Sequence, residues 1–161
     1  NGLSSFTAQN IGAKKLERVQ KGFKAGMLLA LCVVIPFFVT YFFLNTTMIS
    51  LFIENPTTEA LLTGKQFLMI VTPFYIVISI KLIADGVLRG SGAMKPFMIS
   101  TFSDLILRVI ISYILARCLG PIGVWLSWPI GWIIGAILSY YFYRQGIAHD
   151  FSAVKLHEAL E

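Results

Sequence analysis

The chain has 161 residues, of which 57% are hydrophobic and 13% are charged, whereas soluble domains carry about 25% charged residues. Its mean hydropathy is +0.77, and its formal net charge of +5 is spread thinly along the sequence. This composition excludes a disordered chain and a nucleic-acid-binding domain, and it argues against most soluble enzymes. It predicts a membrane protein with several spanning segments.

The amino-terminal segment carries no charge before Lys14. Residues 1–13 are too short to cross a bilayer and are predicted to be the end of a membrane span. The segment also lacks the positively charged start of a secretory signal, and the chain begins with Asn1 rather than Met. We therefore expect a piece of a longer chain, or else a processed product.

Four longer apolar stretches follow and are predicted to form membrane-spanning helices in an all-α bundle. Strands of a membrane barrel are about 10 residues long and alternate in polarity, whereas these stretches are longer and do not alternate. Helices then satisfy the backbone hydrogen bonds in lipid. The predicted spans cover residues 25–44, 66–88, 97–116 and 118–143. The intervening residues 45–53 are expected near the membrane interface or in a short helix.

Glycine and proline mark the connections between the predicted spans. Gly90 and Gly92 are predicted to end one helix and Pro96 to begin the next, while Gly120 and Pro121 predict a tight hairpin. Three further prolines lie inside predicted spans, where each removes a backbone hydrogen bond and allows a kink. They are Pro36, Pro73 and Pro129. Such prolines are more typical of a transporter or channel than of a simple anchor.

Two cysteines are present, and each lies in or beside an apolar run. Cys32 and Cys118 form no CxxC motif, and nothing in their spacing supports a disulfide. They are predicted to be small core residues.

Basic residues concentrate in alternate connections. Residues 14–24 contain five Lys or Arg residues, the next connection contains Glu54 and Glu59, and the one after contains Arg89 and Lys95. Because cytoplasmic loops are enriched in Lys and Arg, we expect the basic connections and the carboxy-terminus to be cytoplasmic in a multi-pass protein of the plasma (inner) membrane. The acidic connection and the glycine-proline hairpin should face outward.

Residues 147–161 are predicted to form a cytoplasmic tail. Asp150 is a candidate cap for a short surface helix there. His149 and His157 are eight residues apart and have no cluster of other metal ligands around them. They are predicted to be solvated, and no metal site is expected.

Small residues recur at every fourth position of the last predicted span. This small-residue ladder consists of Ser127, Gly131, Gly135 and Ser139. It leaves one helix face without bulk, so that another backbone can approach closely. Three tryptophans share another face of the same helix and are expected to pack, to face lipid or to line a ligand cavity. They are Trp125, Trp128 and Trp132.

Four charged residues lie inside the predicted spans, namely Lys81, Asp85, Asp104 and Arg108. An ionised group in mid-span costs roughly 2.5–3.5 kcal/mol on insertion scales, so partners are expected. Each helix carries one pair at i,i+4 spacing, and Lys81 and Asp104 lie at similar depths, about 10 Å from the same membrane face. The hypothesis is a charge-neutral network between the two helices. It either locks them together or lets Asp104 or Asp85 change its protonation.

Three motifs together resemble those of one transporter family. The first is residues 9–13, including Gln9, Asn10 and Gly12, followed by Arg18 and Gly22. The second is Leu88-Arg89-Gly90-Ser91-Gly92, and the third is Gly120-Pro121-Ile122-Gly123-Val124-Trp125. In order, spacing and orientation they resemble the loops and final hairpin of multidrug and toxic compound extrusion (MATE) transporters. The resemblance covers about residues 1–146.

The resemblance implies that residues 1–146 form the carboxy-terminal lobe of a twelve-helix antiporter, from the end of the eighth helix through the twelfth. Such transporters exchange cationic, amphipathic organic compounds for H⁺ or Na⁺ by alternating access between two lobes. The implied partners are the lipid bilayer, small organic cations, a coupling H⁺ or Na⁺, and an amino-terminal lobe outside this chain. No cofactor is implied.

One departure from the family pattern leaves the identity of the coupling ion undetermined. Some members carry a coupling aspartate on the tenth helix, about three turns before the Leu-Arg-Gly motif. The corresponding position here is near Ile78, and the charged residues Lys81 and Asp85 lie closer to the motif.

Three alternative functions compete with export of organic cations. A flippase or exporter of lipid-linked or polysaccharide cargo would favour a strongly basic cavity, whereas the charges inside these spans balance. A non-transporting membrane scaffold would need no intramembrane charges. A membrane enzyme is the weakest alternative, because the sequence has no Ser/His/Asp set, metal cluster or phosphate-binding loop, and no catalytic residue is predicted.

Overall fold

The computed structural model describes residues 2–53 and 57–158, with side chains described as far as residue 146. These ranges are helical and contain no strand, which confirms the predicted all-α fold. The helices are α1 (Gly2–Gly12), α2 (Leu16–Phe43), α3 (Asn45–Phe52), α4 (Thr58–Val71), α5 (Tyr75–Gly90), α6 (Met94–Leu119) and α7 (Pro121–Glu158). One 3₁₀ turn, Thr72–Phe74, joins α4 to α5.

Within the described ranges, four helical segments are long and apolar enough to cross a membrane, as the sequence predicted. They are Leu16–Phe43, Thr58–Gly90, Met94–Leu119 and Pro121–Gly146. The second segment combines α4, the 3₁₀ turn and α5. Helix α1 has 11 residues, so its length of about 16 Å is below the roughly 30 Å of a bilayer core. Helix α3 is the short helix expected after the first span.

The three prolines inside the spans have different effects on their helices. Pro73 lies in the 3₁₀ turn that separates α4 from α5. Pro36 and Pro129 lie within helices that continue through them. Proline lacks the amide hydrogen that a helix requires at that position, so each frees one carbonyl oxygen. Only at Pro73 does the backbone leave the α-helical form.

Helix α7 is the central element of the packing. It contacts α6 most extensively and α5 next, whereas α5 and α6 contact each other much less. At one end of the bundle, α1 and α2 pack on α5. A core cluster there joins α2, α5 and α7, and it consists of Val19, Phe23, Ala84, Val87 and Tyr143. Helix α7 therefore lies beside both α5 and α6.

The hairpin between α6 and α7 requires glycine at two positions. Gly120 has φ +61° and ψ −141°, a conformation that residues with a side chain rarely adopt. Pro121 then begins α7, where its missing amide hydrogen has no intrahelical partner to lose. Gly123 packs directly on the Leu115 carbonyl, so that a Cβ at this position would overlap the backbone of α6.

Replacing Gly120 by Ala is expected to destabilise the fold by about 1–3 kcal/mol, because alanine is strained at this φ and ψ. The measurement is thermal unfolding of the purified protein in detergent. Gly146→Ala is the matched control, since a Cβ there meets nothing within 4 Å. Equal unfolding temperatures for the two variants would contradict the prediction.

The predicted core placement of the two cysteines is wrong. Cys32 on α2 and Cys118 on α6 are both exposed. Each helix packs on one face and presents apolar residues outward, including Leu28 on α2 and Val109 on α6. Lipid is as apolar as a protein core, so hydropathy does not distinguish the two environments.

The carboxy-terminal segment also differs from the expectation. Helix α7 continues without a break to Glu158, so Asp150 lies within its backbone and does not begin a separate helix. The side chains of His149 and His157 lie outside the described residues, as do residues 54–56 of the acidic connection. The division between a lobe and a tail at residue 146 stays a prediction, and so does the orientation in the membrane.

Candidate functional site

The first part of the site is a buried ion pair on α5. Lys81 and Asp85 are 5% and 3% exposed, and the Lys81 ammonium lies 2.6 Å from Asp85 Oδ2. Their i,i+4 spacing places both side chains on one helix face. That face points toward α7, because a Cβ on Gly135 of α7 would lie 2.7 Å from Lys81 Cε.

Hydrogen bonds extend this pair onto α7 and α6. The Ser139 hydroxyl on α7 donates to Asp85 Oδ1 at 2.5 Å. Ser139 also lies within hydrogen-bond distance of the Ser100 hydroxyl on α6, which donates to the Gly135 carbonyl at 3.1 Å. Both serines are fully buried. Asp85 is therefore held by a lysine on its own helix and by a serine pair that bridges two others.

The second part of the site is an ion pair on α6. Arg108 Nη2 donates to both carboxylate oxygens of Asp104 at 2.8 Å. The Arg108 guanidinium lies over the Trp128 ring of α7, 4.9 Å from its centroid, a favourable cation–π arrangement. Its Nε–H is buried and has no hydrogen-bond partner among the described groups. The Arg108 guanidinium is thus held by Asp104 on its own helix and by Trp128 of α7.

The small-residue ladder on α7 makes room for both ion pairs. A Cβ at Gly131 would lie 2.5 Å from Asp104 Oδ1, and one at Gly135 would lie 3.1 Å from Asp104 Cβ. Ser127 and Ser139, the outer members of the ladder, are buried. The predicted close helix approach is therefore made to α6 and to the charged face of α5. We call Lys81, Asp85, Asp104 and Arg108 the buried charge cluster.

The buried charge cluster differs from the predicted network in one respect. Among the described side chains no salt bridge joins α5 to α6, and both ion pairs lie within a single helix. The physical reason is the position of α7, whose ladder lies between the two pairs and contacts Lys81 and Asp104 at the same residue, Gly135. The connection between the helices passes through Ser139 and Ser100.

Sequence reasoning missed Ser100, although a signal for it was present. Ser100 lies one turn before Asp104 on α6, which places it on the same helix face. It also lies 35 residues from Gly135 and 39 from Ser139 in sequence. The i,i+4 spacing to Asp104 identifies Ser100 as a candidate site residue, but spacing does not predict its partners on α7.

The motif residues near the amino-terminus form a turn that is separate from the buried charge cluster. Asn10 is buried, its side-chain amide donates to the Phe6 carbonyl, and its own carbonyl accepts from Lys15 N at 2.7 Å. Gln9, Gly12 and Arg18 are exposed. This segment therefore acts in the connection between α1 and α2, and it contributes no group to the charged site.

The Leu-Arg-Gly motif also serves helix packing. Gly90 lies so close to the Ser4 carbonyl and Thr7 of α1 that a Cβ could not fit. Gly92 has φ +75°, which suits the turn before α6. The Arg89 guanidinium lies 5.3 Å from the centre of the Phe97 ring. These residues fix how α1, α5 and α6 meet at one membrane face.

Comparison with known proteins identifies the family. The family model described as MatE matches residues 1–114, more than half of the chain. The chain belongs to the MatE family. This confirms the predicted family, and the matched residues include the first two of the three motifs.

Two curated relatives of this MatE chain come from Bacillus subtilis (strain 168). The probable multidrug resistance protein YoeA is 26% identical over 145 residues, covering 88% of this chain and 31% of that protein. The probable multidrug resistance protein YpnP is 25% identical over 145 residues, covering 89% of this chain and 32% of that protein. The chain thus spans about a third of the length of these relatives.

A solved structure has the same fold. It is titled as the inward-facing conformation of a multidrug resistance MATE family transporter of the MOP superfamily. The match has a TM-score of 0.83 at 19% identity, and it covers 93% of this chain and 35% of the other. At this identity the likeness concerns the fold alone, and it places the helices of this MatE chain in a known arrangement.

The tryptophans of α7 pack against aromatic residues of α4 and α5. Trp132 is buried with its ring centre 6.1 Å from that of Tyr75, and Trp125 meets Phe67 edge-on at 6.2 Å. Trp128 meets Trp132 edge-on at 5.9 Å. An apolar cavity of about 340 Å³ lies beyond Tyr75, between α2, α3 and α4. Trp125 and Trp132 therefore pack inside the bundle, whereas Trp128 contacts Trp132 and keeps 38% of its surface exposed. Tyr75 connects Trp132 to the cavity wall.

The candidate site combines charged side chains with hydroxyl groups. Where the structure describes side chains, no group of three or more His, Cys, Asp or Glu residues is close enough to hold a metal ion. The site instead offers two carboxylates, two cationic groups and two hydroxyls in a buried position. Such groups can exchange a proton or a hydrogen-bond partner when neighbouring helices move.

Proposed function

We propose that this chain is the carboxy-terminal lobe of an antiporter that exports cationic or amphipathic organic compounds in exchange for H⁺ or Na⁺. Its membership of MatE, a family of membrane transporters, is the observation that carries the proposal. The names of both Bacillus relatives, probable multidrug resistance proteins, support drugs and toxins as cargo. Because the chain spans about a third of those relatives, the activity is assigned to a longer protein in which this lobe works with a second one.

The charges inside the spans support organic cations over anionic lipid-linked cargo. The buried charge cluster holds two acidic and two basic residues, each paired within its own helix. A paired, neutral cluster attracts an anionic headgroup weakly. The proposed setting is the plasma membrane, with the basic connections and the carboxy-terminus in the cytoplasm.

Within this proposal, Asp85 is the residue that changes its protonation or its partner during transport. The Arg108 guanidinium holds both carboxylate oxygens of Asp104, so this carboxylate is a fixed structural partner. The Lys81 ammonium holds Asp85 through a single contact, to Oδ2. The Lys81–Asp85 pair can therefore give way to an incoming cation or proton at Asp85, while Ser139 continues to donate to the carboxylate.

The test of export is ethidium accumulation in cells that express the full-length transporter. We expect less accumulation than in cells without it. Collapsing the H⁺ gradient and the Na⁺ gradient separately should identify the coupling ion, because only one treatment restores accumulation. Equal accumulation with and without the transporter, across a panel of organic cations, would overturn the proposal.

The 161-residue chain alone is expected to transport nothing. Alternating access requires two units that rock against each other about a central site, and this chain supplies one at most. The measurement is uptake of a fluorescent cation into vesicles that contain the isolated chain, with the full-length transporter as positive control. Gradient-driven uptake by the isolated chain would contradict the two-lobe mechanism.

A further inference from the structure

The start of α2 carries a charged surface that has no part in the buried charge cluster. Leu16, Val19 and Phe23 are buried on one helix face. Basic residues occupy the opposite face at spacings of three, and all are exposed. They are Arg18, Lys21 and Lys24, which we call the basic face. Lys14 and Lys15 precede them, and Glu17 is the one acidic residue between positions 14 and 24.

The basic face lies where the charged and lipid-facing surfaces of α2 meet. From Ala25 to Ile53 the sequence has no charge, and the next turn presents Leu28 and Leu29 with 65% and 68% of their surfaces exposed. Leu28 is about 6 Å further along the helix axis than Lys24. A molecule bound at Lys24 therefore has polar contacts on one side and an apolar helix surface on the other.

A cavity on the basic face is large enough for a polar group. It has a volume of about 410 Å³ and is lined by Glu17, Gln20, Lys21 and Lys24. Among the described side chains, neither lysine forms a salt bridge. Their two ammonium groups and the Gln20 amide give donors for an anionic oxygen group, and Glu17 can accept from a hydroxyl beside it.

We propose that the basic face binds the headgroup of an anionic phospholipid from the leaflet that α2 enters. The phosphate lies between Lys21 and Lys24, and an acyl chain follows Leu28 and Leu29 along the helix. Clusters of basic residues next to a membrane span attract anionic lipids in this way. The lipid then contacts both the turn that follows α1 and the start of the span, and it stabilises their junction.

The experiment counts lipids on the full-length protein by native mass spectrometry. The protein is purified in mild detergent and mixed with phosphatidylglycerol or with phosphatidylcholine. The test variant is Lys21→Gln/Lys24→Gln. The matched control is Lys65→Gln/Lys95→Gln, which removes the same charge from two exposed lysines elsewhere.

We expect the protein and the control to retain phosphatidylglycerol over phosphatidylcholine, and the test variant to bind it about ten-fold more weakly or worse. Raising the salt concentration should weaken the binding of phosphatidylglycerol, because salt screens its attraction to the lysines. Equal phosphatidylglycerol binding by the two double variants would overturn the proposal. It would also be overturned if inorganic phosphate or a soluble acidic peptide displaced the lipid completely. Lipid binding is measured without transport, so its failure leaves the proposed export activity untouched.

Discussion

Replacing Gly135 by Leu is expected to destabilise the full-length protein by about 3 kcal/mol and to reduce its folded yield. A Cβ at this position would lie 2.7 Å from Lys81 Cε and 3.1 Å from Asp104 Cβ. A leucine would therefore separate α7 from both ion pairs at once. The charged groups could move aside only by losing their partners, which is costly in a buried position. The measurement is the thermal unfolding midpoint in detergent.

The control for this substitution is Gly146→Leu, since a Cβ at Gly146 meets nothing within 4 Å. It adds the same side chain to the same helix without entering the bundle. A second variant, Gly131→Leu, is expected to destabilise the protein as well, because Asp104 Oδ1 lies 2.5 Å from the added Cβ. Unchanged midpoints for both Gly131 and Gly135 variants would mean that this face of α7 meets lipid.

Much of the fold follows from the lengths of the apolar runs. The sequence predicts four spans and a shorter amino-terminal helix, because a bilayer fixes how many residues a crossing needs. Local signals set the connections, such as the turn at Gly92 and the hairpin at Gly120, both with positive φ. The same kind of signal failed at Asp150, since a capping residue also fits inside a continuous helix.

The site was predictable only within each helix. The i,i+4 spacing pairs Lys81 with Asp85 and Asp104 with Arg108, and the structure contains both pairs. Counting residues also placed Lys81 and Asp104 at one depth, and Gly135 contacts both. Neither argument says which helices are neighbours. Spacing fixes rotation and depth but leaves the lateral order of helices open, so the position of α7 between the pairs could not be predicted.

The sequence also does not show whether an apolar residue faces lipid or another helix. An apolar residue serves equally well against lipid and against another helix, as the exposed Cys32 and Cys118 illustrate. Buried polar residues are more informative, because lipid does not satisfy their hydrogen bonds. Ser100 and Ser139 are buried for that reason, at the point where three helices approach one another. Small polar residues near intramembrane charges are therefore the better guide to helix contacts.

Asp85→Asn in the full-length transporter is expected to abolish ethidium export while the folded protein stays abundant in the membrane. The amide still accepts from Ser139, but it cannot take up a proton or hold a cation as the carboxylate does. Asp104→Asn should differ, because the Arg108 guanidinium donates to both carboxylate oxygens and would lose that partner in a part-buried position. That variant should lose abundance and export together.

The double variant Lys81→Met/Asp85→Asn separates coupling from packing. Removing both charges leaves no unpaired ion, and such replacements are often neutral for stability. We expect normal abundance and no export, measured by membrane immunoblot and ethidium efflux in the same cells. Full export by this variant would make the Lys81–Asp85 pair a structural element alone. The same conclusion would follow if Asp85→Asn reduced export only in proportion to its abundance. Replacing a coupling residue should abolish export while the protein remains folded.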